Sequence, residues 1–156
     1  MNAPPPVITL RRVSKDYLLG KQAIRVLHEV TLNVAEGDYV AIMGQSGSGK
    51  STLLNIVGCL DTATEGEYLF KSQPVSNFTQ SQLATVRNHE IGFVFQNFNL
   101  LPKLSVWDNV ELPLIYASVP AKERRQRVDE ILQRFGLADR ADHRPNEISG
   151  GQKQRV

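Results

Sequence analysis

The chain has little with which to build a covalent framework or to cross a bilayer. Its one cysteine, Cys59, excludes a disulfide within the chain, and its apolar surroundings mark it as a reduced packing residue. No apolar run approaches the ~20 residues of a membrane-spanning helix. The best, Leu53 to Leu60, is broken by Asn55 and Gly58. Residues 1–6 have neither the basic nor the apolar part of a secretory signal and read as a disordered, polyproline-like lead-in, which points to the cytoplasm. Charge of neither sign is in excess: 18 basic against 16 acidic residues leave a formal +2, so nothing argues for nucleic acid as a partner. His28, His89 and His143 are scattered without metal-ligand spacing.

What the chain does have is Gly44-Gln45-Ser46-Gly47-Ser48-Gly49-Lys50-Ser51, a complete G-x-x-x-x-G-K-S phosphate loop. A short apolar run, Tyr39 to Met43, leads in and reads as a buried parallel strand; Thr52 to Val57 leads out and reads as a helix. Glycines let the backbone press close to an anion, and successive N–H groups at the helix start face its oxygens. Lys50 is placed to reach the β and γ phosphates, and the Ser51 hydroxyl to complete the coordination of Mg²⁺. This nucleotide grip is shared by kinases, GTPases and motor ATPases, so the rest of the chain must choose among them.

Before the loop, Val7 to Val13 and Val26 to Val34 alternate loosely and predict short strands of a mostly antiparallel sheet. Tyr17 falls between them, where stacking on a nucleotide base and packing of a turn are equally open roles. Beyond the loop, Thr64 to Phe70 predicts another strand, Gln80 to Asn88 a short polar helix, and Ile91 to Phe95 a buried strand ending at Gln96. A polar side chain at that end of a strand lies where open α/β sheets bind ligands. Gln96 is thus a candidate to orient Mg²⁺ or an attacking water, with capping of the loop as its plainer role. Ser105 looks like the N-cap of a helix through Trp107 that Pro113 disturbs. Residues 121–135 predict an amphipathic helix with Val128, Ile131, Leu132 and Phe135 on its apolar face. Its opposite face, with Lys122, Arg124, Arg125, Arg127 and Arg134, reads as solvated.

Near the C-terminus, Ile148-Ser149-Gly150-Gly151-Gln152 places a Ser-Gly-Gly turn at the start of a polar helix, a second candidate anion site. With these residues in view the chain resembles the ATP-binding subunits of ABC transporters. Tyr17 resembles the adenine-stacking aromatic, Gly44 to Ser51 the Walker A loop, Gln96 the Q-loop glutamine, and Ile148 to Gln152 the signature, with Ile where Leu is more usual. Phe98 to Pro102 and Asn109 to Leu114 look most like the branch serving macrolide export and lipoprotein release. The resemblance implies an α/β P-loop NTPase, with an incomplete RecA-like core, an N-terminal antiparallel β-subdomain and an α-helical subdomain. The expected divisions are 7–96 for the β-subdomain and phosphate-loop part, 97–148 for the helical subdomain, and 149–156 for the start of the signature helix.

It further implies MgATP as ligand, with Lys50 and Gln96 acting in hydrolysis and Ser51 and Gln96 on Mg²⁺. A head-to-tail homodimer would sandwich ATP between one phosphate loop and the other subunit's Ser149, Gly150, Gly151 and Gln152. Membrane-embedded transporter subunits are the implied partners, with the chain peripheral on the cytoplasmic face of the inner membrane. The family pattern continues with an Asp-Glu strand and a switch histidine. The chain stops at Val156 before both, so it is expected to be a weak nucleotide binder with negligible turnover alone. A non-hydrolysing ATP-binding remnant and a soluble ABC-type ATPase acting on ribosomes or DNA are the competing readings.

Overall fold

A computed structural model of the chain describes residues 5–156, so residues 1–4 of the expected lead-in lie outside the described residues. The chain divides into two compact units, the first ending at Ile91 and the second spanning Gly92–Val156.

The first unit is organised by a long hairpin. β1 (Ile8–Leu19) and β2 (Gln22–Val34) pair antiparallel from Leu19 opposite Gln22 to Ile8 opposite Val34, joined by the two-residue turn Gly20-Lys21. β3 (Glu65–Phe70) pairs antiparallel on the other side of β1, and the short β4 (Gln73–Pro74) on β3, giving the order β2-β1-β3-β4. Irregularities between Leu10 and Val13 and between Val13 and Lys15 break the two-residue alternation. Val13, Ser14 and Lys15 are consequently all buried, so the bulge carries a lysine into the interior.

Helix α1 (Lys50–Val57) lays Leu53 and Ile56 onto this sheet, among Leu10, Val13, Leu27, Tyr68 and Phe70. Burying such side chains contributes about 1.5–3 kcal/mol each. The Tyr68 hydroxyl donates to the Val57 carbonyl at 2.8 Å and ties the end of the helix to β3. Cys59 lies buried just beyond, a packing residue as its sequence context indicates. Helix α2 (Gln80–His89) adds Leu83 to the same core and starts at a Thr79/Gln82 capping box.

Two expected strands do not form. Tyr39 to Met43 is irregular, with Tyr39 97% and Met43 89% exposed; only Ile42 of the run packs against the core. Ile91 to Phe95 is also irregular, with Val94 81% exposed. A strand exists by pairing its backbone N–H and C=O groups, whereas an apolar run is only a disposition to be buried. Among the described residues the one sheet is wholly antiparallel and neither run belongs to it. The parallel core expected around the phosphate loop is therefore not assembled.

The second unit is helical. α3 (Val106–Tyr116) begins at a Ser105/Asp108 capping box and runs through Pro113 without ending there. α4 (Ala121–Arg134) packs against it, and Val106, Val128, Leu132, Leu137 and Ile148 form the core. The apolar face of α4 is narrower than its periodicity suggests: Val128 and Leu132 are buried, but Ile131 and Phe135 are 36% and 46% exposed. The basic face is not uniformly solvated either, because the Arg124 Nε donates to Glu111 at 2.7 Å across α3 and α4, where both side chains are mostly buried. The Trp107 indole N–H donates to Asp129 at 2.8 Å. α5 (Gly150–Arg155) follows, with Ser149 as its N-cap.

Candidate functional site

The phosphate loop runs exposed from Gly44 to Ser48 and enters α1 at Lys50. Its first turn closes through the Ser48 N–H on the Gln45 carbonyl at 3.3 Å, and α1 takes up its first helical bond from the Leu53 N–H to the Gly49 carbonyl at 2.9 Å. The Lys50 ammonium folds back on the loop and donates to the carbonyls of Gly44 (3.0 Å) and Gln45 (2.7 Å), with Ser48 Oγ at 3.5 Å.

Gly49 fits where no other residue does. Its φ is +87°, and a Cβ there would lie 2.8 Å from Leu27 Cδ2 and 2.9 Å from the Val26 carbonyl oxygen. As N-cap it also brings no side chain to the helix end, and the first turn of α1 holds no acidic residue. The contrast with α2, α3 and α5 is instructive, because each of those closes its N-terminus with its own capping box. An uncapped helix start with partial positive charge, beside a lysine, is arranged for an anion.

Tyr17 lies near the tip of the hairpin, 39% exposed, with its hydroxyl donating to Asp61 Oδ2 at 2.8 Å. The Thr52 side chain, in the first turn of α1, lies near enough to that hydroxyl to act on its ionisation. The structure thus brings Tyr17 to the end of α1 that carries Lys50 and Ser51. Partial burial raises the Tyr17 pKa, the Asp61 bond raises it further, and Thr52 works the other way, so the phenol stays protonated well into the alkaline range.

Asp61 gave no signal in the sequence. Its Oδ1 accepts from Lys15 Nζ at 2.6 Å and from the Thr62 N–H at 2.7 Å, while Lys15 also donates to the Thr62 carbonyl at 2.7 Å. Burial pushes the Asp61 carboxyl up, but the bonds from Lys15, Tyr17 and Thr62 outweigh it and hold the pKa below the ordinary 3.8. A carboxyl lowered in the folded state adds stability that is complete above the unfolded value and lost as pH falls through the folded one. In acid titrations followed by circular dichroism, the wild-type chain is expected to shed this contribution below pH 3.8. Asp61→Asn starts less stable at neutral pH and its curve converges with wild type as pH falls; parallel curves would show that Asp61 carries no such linkage.

Gln96 and Ser149 to Gln152 belong to the second unit. Gln96 is exposed in a turn. At the start of α5, Ser149 Oγ accepts from the Gln152 N–H at 3.3 Å, and Gln152 Oε1 accepts from the Ser149 N–H at 2.8 Å. A Cβ on Gly150 or Gly151 would meet nothing within 4 Å, so nothing among the described residues requires glycine at either position. Among the described residues no group of three or more His, Cys, Asp and Glu is placed to hold a metal ion. No helix among them is long and apolar enough to cross a membrane.

A phosphate loop feeding an uncapped helix on an antiparallel sheet, followed by a helical unit ending in a Ser-Gly-Gly turn, defines an α/β P-loop nucleotide-binding cassette. Residues 27–156 match the family model for the ABC transporter, and the chain belongs to that family. It is 53% identical over 150 residues to the ABC transporter ATP-binding protein YknY of Bacillus subtilis, covering 96% of this chain and 65% of that protein. It is 51% identical over 154 residues to the macrolide export ATP-binding/permease protein MacB of Brucella melitensis, covering 99% of this chain but 24% of MacB. Among solved structures it is similar to the dimeric ATP-binding cassette MJ0796 bound to ADP and Pi, with a TM-score of 0.86 and 47% identity over 95% of this chain and 66% of that one. The chain therefore spans about 65% of the length of YknY and 24% of that of MacB.

Proposed function

We propose that this chain supplies the ATP-binding part of an ABC transporter and couples hydrolysis of MgATP to export or lipoprotein release through membrane-embedded partner subunits. The observation that carries the reading is the glycine-capped, acid-free start of α1 with the Lys50 ammonium beside it. That end offers backbone N–H donors and positive charge to a polyphosphate. Lys50 exchanges its loop carbonyls for phosphate oxygens, a stronger charge-assisted pairing. Ser51 presents a hard oxygen donor, which suits Mg²⁺ because that ion takes few protein ligands and keeps waters and phosphate oxygens around it. When bound, Mg²⁺ neutralises charge on the phosphates. Tyr17 offers a ring face for the adenine, and Gln96 the polar group that orients Mg²⁺ or water.

The second cradle, Ser149 to Gln152, serves a twin chain placed head to tail. A Ser149 hydroxyl that accepts from Gln152 still has its own proton to donate to a phosphate oxygen. With no Cβ at 150 and 151 and open space around both among the described residues, the turn leaves room for close approach of another molecule. The dimeric MJ0796 cassette supports the twin, and the name of MacB, which joins ATP binding to a permease, supports placing this chain against the cytoplasmic face of the inner membrane.

Gly151→Ala separates the two roles of the turn. Because the added methyl meets open space at a helical position, the melting temperature is expected to stay level or rise. ATP hydrolysis by the assembled transporter is expected to fall about tenfold or more, as for loss of a transition-state contact. Unchanged turnover would remove the head-to-tail sandwich. Co-purification with ribosomes or DNA instead of a membrane subunit would overturn the transport reading altogether.

A further inference from the structure

We propose that Asp61, seated on the buried Lys15, is a positioning residue that holds the Tyr17 ring ready for the base of the nucleotide. This rests on the nucleotide-binding reading above and adds a specific device to it. Asp61 divides its two oxygens between two tasks: Oδ1 takes the Lys15 ammonium and the Thr62 N–H, while Oδ2 takes the Tyr17 hydroxyl at 2.8 Å. The main chain of Asp61 is anchored as well, because its N–H donates to the Asn55 carbonyl of α1 at 3.2 Å. One residue thereby joins the hairpin that carries Tyr17 to the helix that carries Lys50.

The chemistry of the cluster favours this task over a purely structural one. Lys15 is 8% exposed and needs a counter-ion, but Oδ1 and the Thr62 carbonyl already meet that need. The second oxygen goes to an exposed tyrosine that belongs to neither hydrophobic core. An exposed aromatic side chain is otherwise free to change rotamer, and freezing it on binding weakens the complex. With its hydroxyl held by Asp61 and the Lys15 ammonium 5.0 Å from its ring centroid, Tyr17 meets that loss on folding and not on binding. The neutralised carboxylate also spares an incoming polyphosphate the repulsion of a bare charge.

The test compares MgATP with magnesium tripolyphosphate, which has the phosphates but no base, by titration calorimetry on the whole chain. Tyr17→Phe keeps the ring and deletes only the hydroxyl that Asp61 holds. ATP affinity is expected to fall about fivefold, the size of one lost hydrogen bond, relative to tripolyphosphate affinity measured on the same variant. Asp61→Asn is expected to weaken ATP similarly on its own and to add nothing in the Tyr17→Phe background, since both remove the same restraint. Wild-type ATP affinity in Tyr17→Phe would overturn the proposal. So would an equal loss for ATP and tripolyphosphate, which would mark the cluster as support for the fold alone. If the wild-type chain binds ATP no better than tripolyphosphate, the base-stacking role of Tyr17 fails first and the positioning role with it. If it binds neither, the nucleotide-binding reading itself is lost.

Discussion

Lys50→Ala is expected to lower affinity for MgATP about a hundredfold while leaving the melting temperature nearly unchanged. A charge-assisted hydrogen bond contributes about 1.5–3 kcal/mol, and the upper end of that range corresponds to about two powers of ten in affinity. Among the described residues the ammonium bonds loop atoms, the carbonyls of Gly44 and Gln45 and more distantly Ser48 Oγ. Those carbonyls belong to exposed residues that turn to water when the lysine is gone, so the fold loses little. The buried residues of α1, Leu53 and Ile56, are untouched. Lys50→Arg should recover little of the loss, because a planar fork does not occupy the place of a compact point charge. A titration with a fluorescent ATP analogue alongside a thermal melt distinguishes the outcomes. Retained affinity would mean that the loop does not grip phosphate through Lys50. A collapsed melt would mean that the lysine holds the loop together.

The parts of this architecture that were legible in the sequence are those decided by local physics. The phosphate loop is a contiguous motif. Strands β1 and β2 announce part of their length by loose alternation, α3 by Ser105 at its N-cap, and α5 by the Ser-Gly-Gly turn before a polar run. What escaped is decided by distant partners. Tyr39 to Met43 and Ile91 to Phe95 are as apolar as any strand, yet neither pairs, because pairing depends on a neighbouring strand and not on composition. Arg124 sits on the polar face of α4 by periodicity but bonds Glu111 of α3. Lys15 occupies a position that strict alternation leaves ambiguous, and only the bulges of β1 turn it inward toward Asp61. Tyr17 was open between stacking and packing on pattern alone, and the bond of its hydroxyl to Asp61 had no signal in the sequence.

The largest effect on stability is expected from Gly66→Ala, at the edge where β3 enters its pairing with β1. Gly66 has φ +85°, and an added Cβ would lie 2.3 Å from the Arg12 carbonyl oxygen, 2.5 Å from the Arg12 carbonyl carbon and 2.6 Å from the Arg11 carbonyl oxygen. All three are backbone atoms, so no side chain can swing aside to make room. They also lie in the irregular stretch between Arg11 and Ser14 where β1 shifts register against β3, and Arg12 itself takes a positive φ of 49° there. Relief would require β1 to move, and β1 holds Leu10 and Val13 at the centre of the core and Lys15 against Asp61. Left-handed strain of about 1–2 kcal/mol adds to an overpacking cost of about 1–3 kcal/mol, a large share of the 5–15 kcal/mol that keeps a domain folded. Denaturant unfolding followed in the first unit is expected to show a loss of about 3 kcal/mol or more. MgATP binding should fall with it, since Leu53 and Ile56 of α1 pack into that core. A cost below about 1 kcal/mol would show that the bulge yields, and that β1 is not the rigid frame on which Tyr17, Asp61 and the phosphate loop are hung.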